Sequence, residues 1–195
     1  MKMLVACEFS GTVREAFAKK GWDAWSCDLL PTDIPSDKHI QGDCLEVIAS
    51  QSWDLIIAHP PCTHLSGSGS RYWAEKVADG RQQAAIKFVE DIWDTPNCKR
   101  ICIENPVGAL TKRSKLGKAT VYVQPYWFGH GESKKTGLWL KGLPKLTPTN
   151  MIDISKLPRK EVHRLHNLGP SKDRWAIRSK TYQGIADAMA DQWTA

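Results

Sequence analysis

The chain has 195 residues, 42% of them hydrophobic, which argues against disorder and predicts one domain, since the length suffices for one substantial core and not for two. Its 27 Lys and Arg against 21 Asp and Glu leave a formal charge of +6, compatible with a polyanionic partner without requiring one. No stretch approaches the roughly 18 consecutive apolar residues of a membrane span, and Met1-Lys2-Met3-Leu4-Val5 runs straight into a strand pattern rather than a signal peptide, so the expected location is the cytoplasm.

The first apolar run, Met3 to Cys7, reads as a strand, and Phe9-Ser10-Gly11-Thr12-Val13-Arg14 follows it into a helix over Val13 to Lys20. Backbone N–H groups at such a turn can approach a nucleotide-like ligand, although a tight turn alone also explains Gly11. A second strand over Ala24 to Cys27 ends in Asp28-Leu29-Leu30-Pro31, and Gly42-Asp43 opens another turn. Open α/β sheets bind ligands at the carboxyl ends of strands, where Asp28 could take ribose hydroxyls; the plainer reading is that both acids cap turns. The next strand, Leu55 to Ala58, stops at His59-Pro60-Pro61-Cys62. Proline fixes φ and restricts the residue before it, so the Cys62 thiol is held in place as a nucleophile needs, with His59, His64 and Arg71 as nearby cations to favour thiolate. A structural cysteine is the alternative, and the default for Cys7, Cys27, Cys44, Cys98 and Cys102; no CxxC pair occurs, so neither disulfides nor a metal site is expected.

A helix follows, with Ala84, Ala85, Phe88, Val89 and Ile92 on one stripe, and then a strand over Arg100 to Ile103 that delivers Glu104-Asn105-Pro106. A carboxyl there would lie beside Cys62 across adjacent strand ends, with a pKa raised by burial, although such a sequence also suits a capping turn. Thr120 to Val123 and Gly137 to Leu140 look like short antiparallel strands around the turn Gly129-His130-Gly131. Pro144 to Asp173 reads as loop, and Gln183 to Trp193 as an amphipathic closing helix.

In this order the motifs resemble the DNA cytosine-C5 methyltransferase family, most of all its compact phage and prophage forms. Phe9 to Arg14 is similar to the family's first cofactor loop, Asp28 and Asp43 to its ribose and adenine acids, Pro61-Cys62 to its catalytic Pro-Cys, and Glu104-Asn105 to its Glu-Asn-Val. Gln124 to Gly129, Lys134 to Pro144 and the tail from Arg178 are similar to the compact forms as well. The resemblance implies an α/β, Rossmann-like S-adenosylmethionine-dependent methyltransferase fold with a mostly parallel sheet and a reduced target-recognition region. It implies one catalytic domain over 1–195, with a core over about 1–145, a short recognition or loop segment over about 146–177 and a closing helix over about 178–195.

Catalysis would fall to Cys62, Glu104 and Asn105, and S-adenosylmethionine binding to Phe9, Ser10, Gly11, Thr12, Val13, Asp28, Asp43 and Pro60. Arg71, Lys112, Arg113, Lys134 and Lys135 would contact DNA, duplex or single-stranded, with phosphate contacts also from Lys156 to Arg164 and Arg174 to Lys180 unless these are simply solvated faces. A monomer is implied, with no membrane partner. Pro106 departs from the family's Val, and its Gln-x-Arg-x-Arg is missing, so Lys134 or Lys135 would supply that cation. Only about forty residues separate Leu140 from Thr181, so sequence specificity is short, lax or supplied by a protein partner. Competing readings are an amino-methyltransferase acting on adenine N6 or cytosine N4, disfavoured by Cys62 where those enzymes carry an aromatic; a methyltransferase fold that binds without catalysis; and an RNA or nucleotide substrate.

Overall fold

The computed structural model describes residues 1–194. In chain order the elements are β1 (Lys2–Ala6), α1 (Thr12–Ala18), β2 (Asp23–Asp28), β3 (His39–Gln41), α2 (Cys44–Ala49), β4 (Leu55–Ala58), α3 (Trp73–Ala78), α4 (Arg81–Trp93), β5 (Ile101–Pro106), α5 (Leu110–Arg113), β6 (Val121–Val123), β7 (Thr136–Lys141), α6 (Arg159–Val162), α7 (Arg174–Ser179) and α8 (Gln183–Trp193). The strands form one seven-stranded sheet in the order β3-β2-β1-β4-β5-β7-β6. The first five in that order run parallel; β7 lies antiparallel between β5 and β6. This is a Rossmann-like α/β arrangement with a mostly parallel sheet, in agreement with the sequence expectation.

Period-two alternation sorts the strand residues between two layers. Met3, Val5, Leu55 and Ile57 face a core closed by Val13 and Phe17 of α1 and by Ile185, Ala186, Met189 and Trp193 of α8. Leu4, Ala6, Ile56 and Ala58 face the opposite core, closed by Ile48 of α2 and Ile86, Val89 and Ile92 of α4. Covered on both faces, β4 is fully buried at every residue, which explains its unbroken apolar run. Trp193 is likewise fully buried and donates Nε1–H to Pro144 O at 3.1 Å, so truncating it costs about 3–5 kcal/mol.

The chain departs from the sequence expectation in four places. β3 is a three-residue, partly exposed edge strand, too short to leave an apolar signature. α2 and α3 have six residues each, below the length at which helical periodicity is legible. The expected antiparallel pair forms as β6 and β7, with β7 longer than its apolar run and seated against β5 as well. The closing helix forms over Gln183–Trp193 as its apolar stripe predicts, but the stretch from about 178 does not join it, because Lys180 and Tyr182 are extended (ψ 137° each), leaving α7 separate; the Ala195 end of that segment lies outside the described residues. Pro144 to Asp173 is irregular apart from α6 and a 3-10 turn at Ile154–Lys156. Among the described residues, no helix is long and apolar enough to cross a membrane.

Candidate active site

The carboxyl ends of β1, β4 and β5 and the amino end of β7 meet at one edge of the sheet. Ala58 stands opposite Ile103 in the β4–β5 register, so His59 and Glu104 emerge side by side, and Pro106 stands opposite Thr136, which brings the start of β7 to the same place. Cys62 follows on a turn in which Leu65 N and Ser66 N both donate to Cys62 O at 3.0 and 2.8 Å. That turn is stitched to the loop after Glu104-Asn105. Gly67 N donates to Val107 O (2.9 Å), Ala109 N donates to Leu65 O (2.7 Å), and Asn105 Nδ2 donates to Pro60 O (2.9 Å). A Cβ on Gly108 would lie 1.9 Å from Leu65 O, so the two loops approach closely only because residue 108 has no side chain. Buried Lys76 donates Nζ–H to Thr63 O at 2.6 Å, and buried Gln82 donates to His64 O at 3.0 Å, holding the turn from below.

Of the six cysteines, Cys62 alone is exposed. Desolvation by the surrounding chain, and then the Glu104 carboxylate, push its thiol above the ordinary cysteine value, while Lys134 and Arg178 pull it down. The cations that reach the thiol are therefore Lys134 and Arg178, a correction to the expectation that named His59, His64 and Arg71. His59 is engaged elsewhere, its Nδ1 2.9 Å from Glu104 Oε2. Arg71 stacks 4.7 Å over the Tyr72 ring, and His64 is held below its ordinary value by desolvation. A second correction concerns Glu104. Burial raises its pKa as expected, but the His59 hydrogen bond, the Lys134 and His59 charges and a hydrogen bond with Thr136 outweigh burial, so the carboxyl titrates below its ordinary value. Glu104, Lys134, Thr136 and Tyr182 line one narrow pocket. Lys135, the other cation considered from sequence, turns away and sits 4.8 Å over the Tyr122 ring.

Toward β1 and β2 the geometry corrects a third expectation. The amides that open α1 do not stand free: Glu8, 4% exposed, accepts from Val13 N (2.7 Å) and Arg14 N (3.3 Å), and Ser10 Oγ accepts from Thr12 N (3.3 Å). Desolvation raises the Glu8 carboxyl, opposed by His59 and by these amides. Gly11 has φ 74°, and a Cβ there would meet Arg14 Nη2 at 2.8 Å and Ile34 Cβ at 3.2 Å, so its glycine is explained by its own chain neighbours. Arg14, 1% exposed, donates to Ser26 Oγ and Ile34 O, each at 2.8 Å, which ties α1 to β2 and to the loop beyond it. Val13 is core, Thr12 is partly exposed, and Phe9 lies 5.6 Å from the Trp175 ring of α7.

Asp28, at the end of β2, accepts from Leu30 N at 3.0 Å; burial raises its carboxyl. Exposed Asp43 caps α2 by accepting from Leu45 N at 2.7 Å. Both acids thus cap turns and also stand on one sheet edge, since Asp28 O accepts from Gly42 N at 2.9 Å. The donor set fits a nucleoside cofactor: Asp28 keeps unused lone pairs for sugar hydroxyls beside a partly exposed aromatic, Phe9.

Around the rim, Lys112 is exposed on α5, whereas Arg113 is committed to Gln82 and lies 5.1 Å over Trp73. Arg164 pairs with Glu132 at 2.9 Å and Lys180 with Asp33 at 2.7 Å. Sequence reasoning missed Glu8, Lys76 and Gly108 and named Arg178 only within a phosphate-contacting cluster. Lys76, Gly108 and Arg178 act on segments that only the fold brings near, and Glu8, which binds the amides of its own α1, has no pattern that sets it apart from a ligand-binding acid.

No protein-family model and no curated protein matches the chain. One solved structure with a similar fold is a proposed DNA modification methyltransferase encoded within a prophage of E. coli, with 14% identity and a TM-score of 0.49 over 78% of this chain and 52% of that one. The chain spans about half the length of that structure.

Proposed function

We propose that this chain is a DNA cytosine-C5 methyltransferase in which Cys62 adds to the cytosine ring. The observation that carries the reading is the exposed Cys62 thiol on the turn after β4 and the half-buried Glu104 carboxylate on the adjacent β5, near enough for the carboxylate and for Lys134 and Arg178 to act on the thiol by charge. S-adenosylmethionine, when bound, supplies the electrophilic methyl group; Asp28 and Phe9 are the residues that would hold its nucleoside.

A flipped cytosine would lie between Cys62 and Glu104. Cys62 Sγ passes its proton through the ionised Glu104 carboxylate to N3 as the S–C6 bond forms, and the electron pair released from the C5–C6 double bond makes C5 the nucleophile that takes the methyl group. Loss of the C5 proton to solvent restores the double bond, and the S–C6 pair returns to Cys62 as N3 returns its proton through Glu104 to the thiol. Asn105 anchors this edge through Pro60 O and fixes the turn that presents the thiol. Lys134 would stand in for the family's missing arginine as a positive charge acting on both reacting side chains.

The test is transfer of tritiated methyl from S-adenosylmethionine to unmethylated duplex DNA, with nucleoside analysis of the product and capture of a covalent adduct on DNA containing 5-fluorocytosine. Label in 5-methylcytosine and an adduct lost in Cys62→Ala, with transfer down on the order of 10³-fold or more, are expected. An adduct at wild-type yield in Cys62→Ala refutes the scheme, and label in N6-methyladenine or N4-methylcytosine moves the protein to the amino-methyltransferases.

A further inference from the structure

His59 stands between two carboxylates. Its Nδ1 lies 2.9 Å from Glu104 Oε2, with side-chain exposures of 8% and 14%. On its other side is the end of β1: His59 N donates to Ala6 O at 2.9 Å, and Cys7 and buried Glu8 follow Ala6. Glu8 lies within range of the His59 charge and is fixed by the Val13 and Arg14 amides. His59 Nε2 is buried and has no hydrogen-bond partner among the described residues. Thr136 at the start of β7 and Lys134 just before it line the pocket with Glu104, and the Glu104 charge acts on Cys62 on the turn beyond His59.

An ionised carboxylate only accepts, so the imidazole must donate from Nδ1. That bond occupies Oε2 and leaves Oε1 as the oxygen able to meet a base edge. A carboxylate free to rotate about its last torsion would sample many orientations, and a displacement of about 1 Å at a reacting group costs on the order of 10²-fold in rate.

We infer that His59 is the positioning residue of this site, donating Nδ1–H to Glu104 so that one carboxylate oxygen is locked and the other is presented to the base. The inference rests on the reading of Glu104 as the group that meets cytosine N3.

Two readouts separate this inference from the reading it rests on. The first is the ¹³C carboxyl titration of Glu104, assigned by its disappearance in Glu104→Gln, in wild type, His59→Ala and His59→Gln. The second is kcat and KM for methyl transfer across pH. In His59→Ala the Glu104 midpoint rises by about one pH unit. There kcat falls about 10- to 100-fold with little change in KM for DNA, and His59→Gln, which retains an N–H donor, recovers most of the rate. An unmoved Glu104 midpoint and unchanged kcat in a folded His59→Ala, with wild type active, overturn the inference alone. A shifted midpoint in a protein that methylates no cytosine upholds the His59–Glu104 coupling and removes the functional reading instead. Should His59→Ala fail to fold, His59→Gln decides: a rate as low as that of Glu104→Gln, with the Glu104 midpoint displaced although an N–H donor is retained, overturns the inference.

Discussion

The loop that carries Cys62 and the loop that carries Asp28 leave the same edge of the sheet but are held by different means. The first is fastened by main chain, with reciprocal bonds between residues 65–67 and 107–109 and buried Lys76 and Gln82 beneath. The second is fastened by side chains, with Arg14 reaching Ser26, Thr32 and Ile34 and with Leu29 and Leu30 left exposed above it. Main-chain stitching fixes position closely and tolerates almost no change in shape, as a group that must meet a ring carbon requires. Side-chain anchoring concentrates the support in one residue and leaves the rim free to adapt to a ligand.

Removing the single anchor is the severest test of that contrast. Arg14→Leu leaves Ser26 Oγ and Ile34 O without their donor and should cost about 3 kcal/mol, or roughly 6–12 °C in Tm for a chain of this size. Titration calorimetry with S-adenosylmethionine should show the binding loss confined to the cofactor; a Tm within a degree of wild type would mean the loop holds without its anchor. Gly108→Ala strikes the other region. The added methyl cannot coexist with Leu65 O, so about 2 kcal/mol of stability should go, with kcat falling while cofactor affinity holds. Equal losses in cofactor affinity and kcat would erase the distinction between the loops. The smallest effect is electrostatic. Because the Cys62 thiol lies above its ordinary value, thiolate and hence transfer should rise with pH above neutrality; Lys134 lowers the thiol, so Lys134→Met should move that rising limb to higher pH by about half a unit, roughly threefold in rate at fixed pH. A limb that stays in place would remove Lys134 from the thiol's surroundings.

Much of this was legible in the residues. β1, β4 and β5 announce themselves as apolar runs because a sheet covered on both faces leaves them little room for polar alternation, while β2 alternates in burial and shows only a shorter run, and the residues where those runs stop are the residues that converge. The strand-end placement of Cys62 and Glu104 followed from that rule alone. The charge state of Glu104 did not, because it depends on His59, Lys134 and Thr136, which arrive through register between β4, β5 and β7. Glu8 was hidden for a similar reason: nothing in the sequence tells a carboxylate that caps its own helix from one that meets a ligand. Lys134 was one of two cations named from sequence; both precede β7, and only the way the chain enters the antiparallel direction of that strand, with Lys134 lining the Glu104 pocket and Lys135 over Tyr122, separates them.

That direction has a consequence for how the molecule is made. β6 pairs with β7 and with no other strand, yet precedes it by more than a dozen residues, while β5 keeps an open edge until β7 slides in. During synthesis the strand bearing Glu104 therefore emerges with a row of unpaired main-chain groups, and it stays so until Lys141 has left the ribosome. A pause in translation between residues 106 and 141 would lengthen the time that edge is open to other nascent chains.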